Sequence, residues 1–203
     1  MDLDRTAHWE KVYETKAPSQ VSWTQEYPKT SFEIIQSFEL PKTAKIIDVG
    51  GGDSKLVDCL LDAGYEDITV LDISEKALLK AQKRLGEKAS KVNWVVSDIT
   101  TFKHDRTFDI WHDRAAFHFL TEAEQIGQYV ALASSCVKGY LSVGTFSKQG
   151  PIKCSGLNIS QYSEEELMSV FSSGFHLLDS KIEDHNTPFD TLQNFLFCSF
   201  KKK

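Results

Sequence analysis

From Ala44 onward, short apolar runs alternate with helix-period segments, an alternation that few chain architectures can accommodate. Ala44 to Val49 reads as a buried strand closed by glycines, and Lys55 to Ala63 follows with Leu56, Leu60 and Leu61 on one helical face. Ile68 to Leu71 reads as the second strand, and Ser74 stands where the N-cap belongs for a helix carrying Ala77, Leu78, Ala81 and Leu85. Val92 to Val96, Phe108 to Trp111 and Tyr140 to Phe146 supply three more strands. Thr121 with Glu124, and Ser163 with Glu166, have capping-box spacing at the heads of two further helices. The last two apolar runs, Phe175 to Ile182 and Leu192 to Phe200, have no helix between them and are expected to pair as an antiparallel hairpin at one side of the sheet. The expected fold class is therefore α/β: three layers, doubly wound, with a mostly parallel sheet covered on both faces.

Length and composition agree with one such unit. A chain of 203 residues with 41% hydrophobic content can bury a sizeable core without metals or disulfides. Cys59, Cys136, Cys154 and Cys198 are scattered, with no metal-ligand spacing, so no metal is expected and a reducing, cytoplasmic compartment is the natural reading. No apolar run approaches the roughly 18 residues of a membrane span, which points to a soluble protein. A net charge of -6 argues against a phosphate-tracking surface and hence against nucleic acid. Lys201, Lys202 and Lys203 read as a frayed, solvated tail. A single domain over residues 1–203 is expected, as a monomer or weak dimer, with a helical segment at 1–43 and the sheet-bearing core at 44–203. That leading segment holds Trp9, Tyr13, Trp23 and Tyr27, and a bend at Ala17 to Gln20 just ahead of Trp23. It is expected to be either a fixed cover over the core or a lid over the active site.

In open α/β sheets, ligands bind beyond the carboxyl ends of the strands. After the first strand stands Asp48-Val49-Gly50-Gly51-Gly52-Asp53-Ser54, whose glycines allow a tight turn and close approach of a ligand. The run lacks the third glycine of a dinucleotide fingerprint, Lys55 standing there instead, and Asp48 would repel a pyrophosphate while favouring a cation. Asp72 ends the second strand, where a carboxylate can accept both ribose hydroxyls of an adenosine, and Asp98 follows the third, where one can accept from the adenine amine.

At these residues the chain resembles the class I, seven-stranded, Rossmann-like S-adenosylmethionine-dependent methyltransferases, with Asp48 to Ser54 similar to the first motif of that family. The resemblance covers nearly everything from Ala44 onward. It implies the strand order 3-2-1-4-5-7-6 with the last strand antiparallel, S-adenosylmethionine as cofactor and S-adenosylhomocysteine as product. The cofactor contacts so expected are Trp23, Asp48, Gly50, Gly51, Gly52, Asp72, Ile73, Asp98, Ile99 and His112, with Asp48, Gly50 and Gly52 at the methionine end.

The acceptor side is expected at His112 to His118, after the fourth strand, and at Gly150 to Leu157, a patternless loop holding Lys153 and Cys154. His112 is the expected proton acceptor, and Asp113 is expected to orient it or to bind an amine, the alternative being a structural Asp113–Arg114 pair. The Asn-Pro-Pro-Tyr/Phe signature of amino-methylating nucleic-acid enzymes is absent. Asp113-Arg114-Ala115 is similar to an Asp-Lys-Gly stretch in lysine methyltransferases related to those acting on elongation factor. A small-molecule acceptor is the leading expectation, because covering aromatics favour an enclosed pocket, and a protein lysine is the alternative. His185, with Thr187 and Pro188, is expected in a hairpin turn, the alternative being a wall that closes the same pocket. Two other readings stay open: a nicotinamide-dependent oxidoreductase, which Asp72 alone would permit, and a catalytically silent nucleoside-binding module.

Overall fold

The computed structural model describes residues 4–103 and 105–203, so the first three residues of the N-terminal segment lie outside it. Seven strands form one sheet: β1 (Lys45–Val49), β2 (Asp67–Asp72), β3 (Val92–Val96), β4 (Phe108–Arg114), β5 (Val137–Phe146), β8 (Phe175–Asn186) and β9 (Leu192–Lys202). Two short strands, β6 (Lys153–Cys154) and β7 (Leu157–Asn158), form a separate small hairpin in the segment expected to be patternless. The sheet order is β3-β2-β1-β4-β5-β9-β8, which over the seven sheet strands alone is the expected 3-2-1-4-5-7-6. β1 to β5 pair in parallel, whereas β9 runs antiparallel to both β5 and β8.

Strand alternation divides the core in two, and that division decides which side chains can reach the site. Ile46, Ile68, Val70 and Ile110 face one way, packed with Leu56 and Leu60 of α3 (Leu56–Asp62), Leu78 of α4 (Glu75–Leu85), and Phe32, Ile35 and Phe38 of α2 (Lys29–Ser37). Ile47, Val49, Leu71 and Trp111 face the other, against Tyr129 and Ala133 of α5 (Ala123–Cys136) and Leu167 and Phe171 of α6 (Glu164–Phe171). The N-terminal segment thus has two roles: α2 belongs to a core layer, while α1 (Arg5–Thr15) lies on α4.

Local signals in the sequence hold unevenly. Ser74 caps α4 by accepting from the Ala77 amide, and Ser163 with Glu166 forms the reciprocal capping box of α6. The Thr121–Glu124 box does not form: α5 begins at Ala123 with Glu122 as N-cap and no side-chain cap. The basic tail is not frayed either, because β9 continues to Lys202, whose Nζ donates to the Ser134 carbonyl at 2.6 Å. His185 lies within β8, short of the turn. Among the described residues no helix is long and apolar enough to cross a membrane, and no His, Cys, Asp and Glu cluster is arranged to hold a metal.

Candidate functional site

Beyond the carboxyl ends of β1 to β4 lies a cavity of about 280 Å³. Its floor is set by the register of the parallel strands. Asp48 of β1 pairs directly with His112 of β4, and Asp72 ends β2 on the same face as Val70. The loop after β1 turns sharply, with Gly50 at φ +67° and its amide donating to the Leu71 carbonyl at 2.7 Å. A Cβ on Gly50 would stand 2.5 Å from the Ala116 Cβ, so both the conformation and the close packing require glycine. Gly52, at φ +47°, lies beneath Tyr13, whose hydroxyl would be 2.8 Å from any Cβ placed there.

Of the acids lining the cavity, Asp48, Asp72 and Asp98 stand at strand ends, each with a different bonding state. Asp48 is buried and its Oδ1 meets His112 Nδ1 at 2.7 Å. Asp72, 7% exposed, accepts from the Ser74 amide at 2.8 Å. Burial pushes its carboxyl up to about 7, and the nearby Asp53 and Asp48 push in the same direction against the lowering effect of the Ser74 amide. Asp98 uses Oδ1 for the amide and hydroxyl of Thr100, at 2.8 and 2.7 Å, in a local turn; no hydrogen bond engages its Oδ2 among the described residues.

The roof is aromatic. Trp9 and Trp23 meet edge to face at 5.6 Å, Trp9 meets Phe119 at 5.1 Å, and Tyr13 approaches Trp23 at 6.3 Å, all four lining the cavity. Glu10 of α1 holds this roof down by accepting from the Ser74 hydroxyl at 2.8 Å and the Lys76 amide at 3.2 Å, at the head of the helix that follows Asp72. Glu26 pairs with Lys55 across the cavity mouth. Tyr27, the fourth N-terminal aromatic, lies 53% exposed beside Phe32 and does not line the cavity.

Of the residues expected from sequence, Trp23, Asp48, Gly50, Gly51, Asp72, Ile73, Asp98, Ile99 and His112 all line this one cavity. Gly52 lies just beneath it. Asp113 does not line it, and the reason is strand alternation: it shares a face with Trp111, so its side chain enters the α5 layer. There its carboxylate accepts from the amides of Ala116 (2.9 Å) and Phe117 (3.0 Å) and from the Tyr129 hydroxyl (2.8 Å), and it has no ion pair with Arg114. Through these bonds Asp113 fixes the turn after β4, and none of them reaches the His112 imidazole.

His112 lines the cavity with Nε2 buried and unpartnered. His118, by contrast, is buried outside the lining, and its imidazole is driven down to about 3 by burial and the neighbouring Arg114 cation, so it stays neutral. Cys154 does line the cavity, but burial raises its thiol to about 11, which leaves it a poor nucleophile. Lys153 is exposed and His185 Nε2 is occupied by the Ser22 carbonyl at 2.7 Å, so neither walls the pocket as expected.

Among the lining residues, Arg84 carries no usable signal in the sequence, whereas Arg114 falls within the expected acceptor segment from His112 to His118. Arg84, near the end of α4, donates to the carbonyls of Asp53 and Ser54 at 2.8 Å each and clamps the glycine loop. Arg114 lies two residues beyond His112 on the same face of β4 and donates Nη1 to the Trp23 carbonyl at 3.1 Å.

Residues 46–139 match a methyltransferase-domain family. Over 121 residues the chain is 28% identical to the "eEF1A lysine and N-terminal methyltransferase" of Mus musculus, covering 59% of this chain and 17% of that protein. The chain therefore spans less than a fifth of the length of that relative. Similarity to the Homo sapiens "EEF1A lysine methyltransferase 2" is lower, 24% over 194 residues, but takes in 87% of this chain and 76% of the other. Among solved structures, the N-methyltransferase NodS from Bradyrhizobium japonicum WM9, in complex with S-adenosyl-L-homocysteine, shares the fold with a TM-score of 0.74 at 14% identity, covering 98% of this chain and 99% of that one.

Proposed function

Because the chain belongs to the class I S-adenosylmethionine-dependent methyltransferases, we propose that it transfers a methyl group to a small molecule enclosed in the cavity beside His112. The observation that carries this reading is the enclosure itself: acids line the floor and four aromatic rings close the roof over the same cavity. The residues suit a cationic nucleoside. Asp72 offers a carboxylate to ribose hydroxyls, Asp98 offers its unengaged Oδ2 to an adenine amine, and the turn at Gly50 and Gly51 leaves room for the methionine end above Asp48. S-adenosylmethionine, when bound, supplies an electrophilic methyl group on a sulfonium.

The protein residues then have three tasks: aligning the acceptor, excluding water and taking up a proton. Trp9, Tyr13, Trp23 and Phe119 exclude water. In His112, an Nδ1–H donated to Asp48 leaves Nε2 as the basic nitrogen, and Nε2 has no protein partner. The Asp48 carboxylate also steadies the imidazolium once a proton arrives.

A protein-lysine acceptor is the second reading, favoured by the similarity that runs along 87% of the chain to the human relative. Incubation with methyl-labelled S-adenosylmethionine and a cell extract separates the two. Label is expected in the acid-soluble, low-mass fraction; label confined to precipitated protein would move the assignment to protein lysine.

A further inference from the structure

Arg114 is a cation that the protein leaves without an anion. Its residue lines the cavity, its Nη1 donates to the Trp23 carbonyl, and its guanidinium carbon lies 4.7 Å from the centre of the Phe195 ring. Nε and Nη2 are both buried with no hydrogen-bond partner. The acids that act on it are committed elsewhere: Asp48 bonds His112, and Glu183 takes the Thr30 hydroxyl and lies 3.9 Å from Lys181. Its other titratable neighbours, His118, His185 and Cys154, are neutral at pH 7. Leaving two charged N–H donors buried and unmade is costly, and a protein that keeps such a group beside a cavity has a use for a ligand that completes it.

Resting on the methyltransferase reading, we propose that Arg114 selects the acceptor: the small molecule carries a carboxylate, held by the Nε–Nη2 edge of the guanidinium, and is methylated at an atom facing His112. The Nε–Nη2 edge is the fork that a planar carboxylate accepts from with both oxygens. The single charge of the guanidinium matches that of a carboxylate better than the double charge of a phosphate. His112 and Arg114 are two residues apart on one strand face, roughly 6.6 Å along the strand, so the nucleophile and the acid group of the acceptor lie only a few bonds apart. A positively charged lysine side chain is disfavoured at the same place.

The test uses three probes of similar size, benzoate, benzamide and benzylamine, titrated into the full chain with and without saturating S-adenosylhomocysteine, alongside Arg114→Gln and Arg114→Lys. In the parent protein benzoate is expected to bind at least tenfold more tightly than the neutral and cationic probes. Arg114→Gln should erase that preference while leaving S-adenosylhomocysteine affinity within about twofold. Arg114→Lys, which keeps the charge but not the fork, should reduce it at least threefold, and it serves as the readout if the glutamine variant does not fold. Preference for benzylamine, equal binding of all three, or tighter binding of inorganic phosphate than benzoate would overturn the proposal. So would loss of S-adenosylhomocysteine affinity in Arg114→Gln with the benzoate preference intact, since the guanidinium would then serve the cofactor. Failure of the parent protein to bind S-adenosylhomocysteine at all would strike the methyltransferase reading instead, and the probe series without cofactor would still report on Arg114.

Discussion

Asp72→Asn is expected to make the ligand-free protein more stable at neutral pH while weakening its hold on the cofactor. The parent carboxyl is raised from 3.8 to about 7 by burial, so folding favours its protonated form. A carboxyl with a raised folded-state pKa contributes stability that is fully present below about 3.8 and is lost as pH rises through about 7. The accumulated loss is about 2 kcal/mol at pH 5 and about 4 kcal/mol at pH 8, taking 1.36 kcal/mol per unit. Asparagine can still accept the Ser74 amide through its carbonyl and carries no charge in this range. The advantage of the variant over the parent should therefore grow by about 2–3 kcal/mol between pH 5 and pH 8, seen as roughly 5–10 °C in melting temperature for a chain of this size. Affinity for S-adenosylmethionine should fall by about 1–3 kcal/mol at pH 8, because the ribose hydroxyls lose a charged acceptor. Thermal unfolding by circular dichroism at the two pH values, with calorimetric titration at pH 8, measures both. A stability difference that is flat with pH, or that shrinks toward pH 8, would refute the reasoning.

The same carboxyl makes S-adenosylmethionine affinity pH-dependent in the parent: the dissociation constant should rise as pH is lowered from 8 to 6, and lose that dependence in Asp72→Asn, as followed by calorimetry. Tyr129→Phe removes the hydroxyl that accepts from Trp111 Nε1 and donates to Asp113, so it should destabilise the fold by about 1–3 kcal/mol in denaturant unfolding with S-adenosylhomocysteine affinity unchanged; a selective loss of affinity would return Asp113 to the site. His112→Ala is expected to lower turnover at least a hundredfold, and the double variant with Asp48→Asn should be less destabilised than the sum of the single changes; additive effects would mean the 2.7 Å contact carries no energy.

The sheet was legible because hydrophobic periodicity is a local property. Every strand-end acid that reaches the cavity, Asp48, Asp72 and Asp98, follows an apolar run visible in the sequence. The side chain of Asp113 falls away from the cavity for a definable reason. The apolar run of the fourth strand ends at Trp111, but the strand itself runs to Arg114, and continuing the two-residue alternation assigns His112 and Arg114 to the cavity face and Asp113 to the core. The Thr121 capping box failed because its spacing recurs in any polar stretch ahead of a helix, and here Glu122 takes the cap position. Arg84 could not be found at all: beside Lys83 in the last turn of a helix, it looks like an ordinary partner for the helix dipole, and its bonds to Asp53 and Ser54 exist only once α4 lies beside the glycine loop. The aromatic density of the N-terminal segment was plain, whereas its position over the cavity depends on Glu10 docking at the head of α4, a contact spanning more than sixty residues of chain.

The most direct test of the whole account is a crystal structure of the chain with S-adenosylhomocysteine. The ribose hydroxyls should lie within hydrogen-bonding distance of Asp72, with the adenine amine toward Asp98 Oδ2 and the rings of Trp9 and Trp23 above the ligand. Adenosine bound outside this cavity, or inside it with Asp72 and Asp98 turned away, would contradict it.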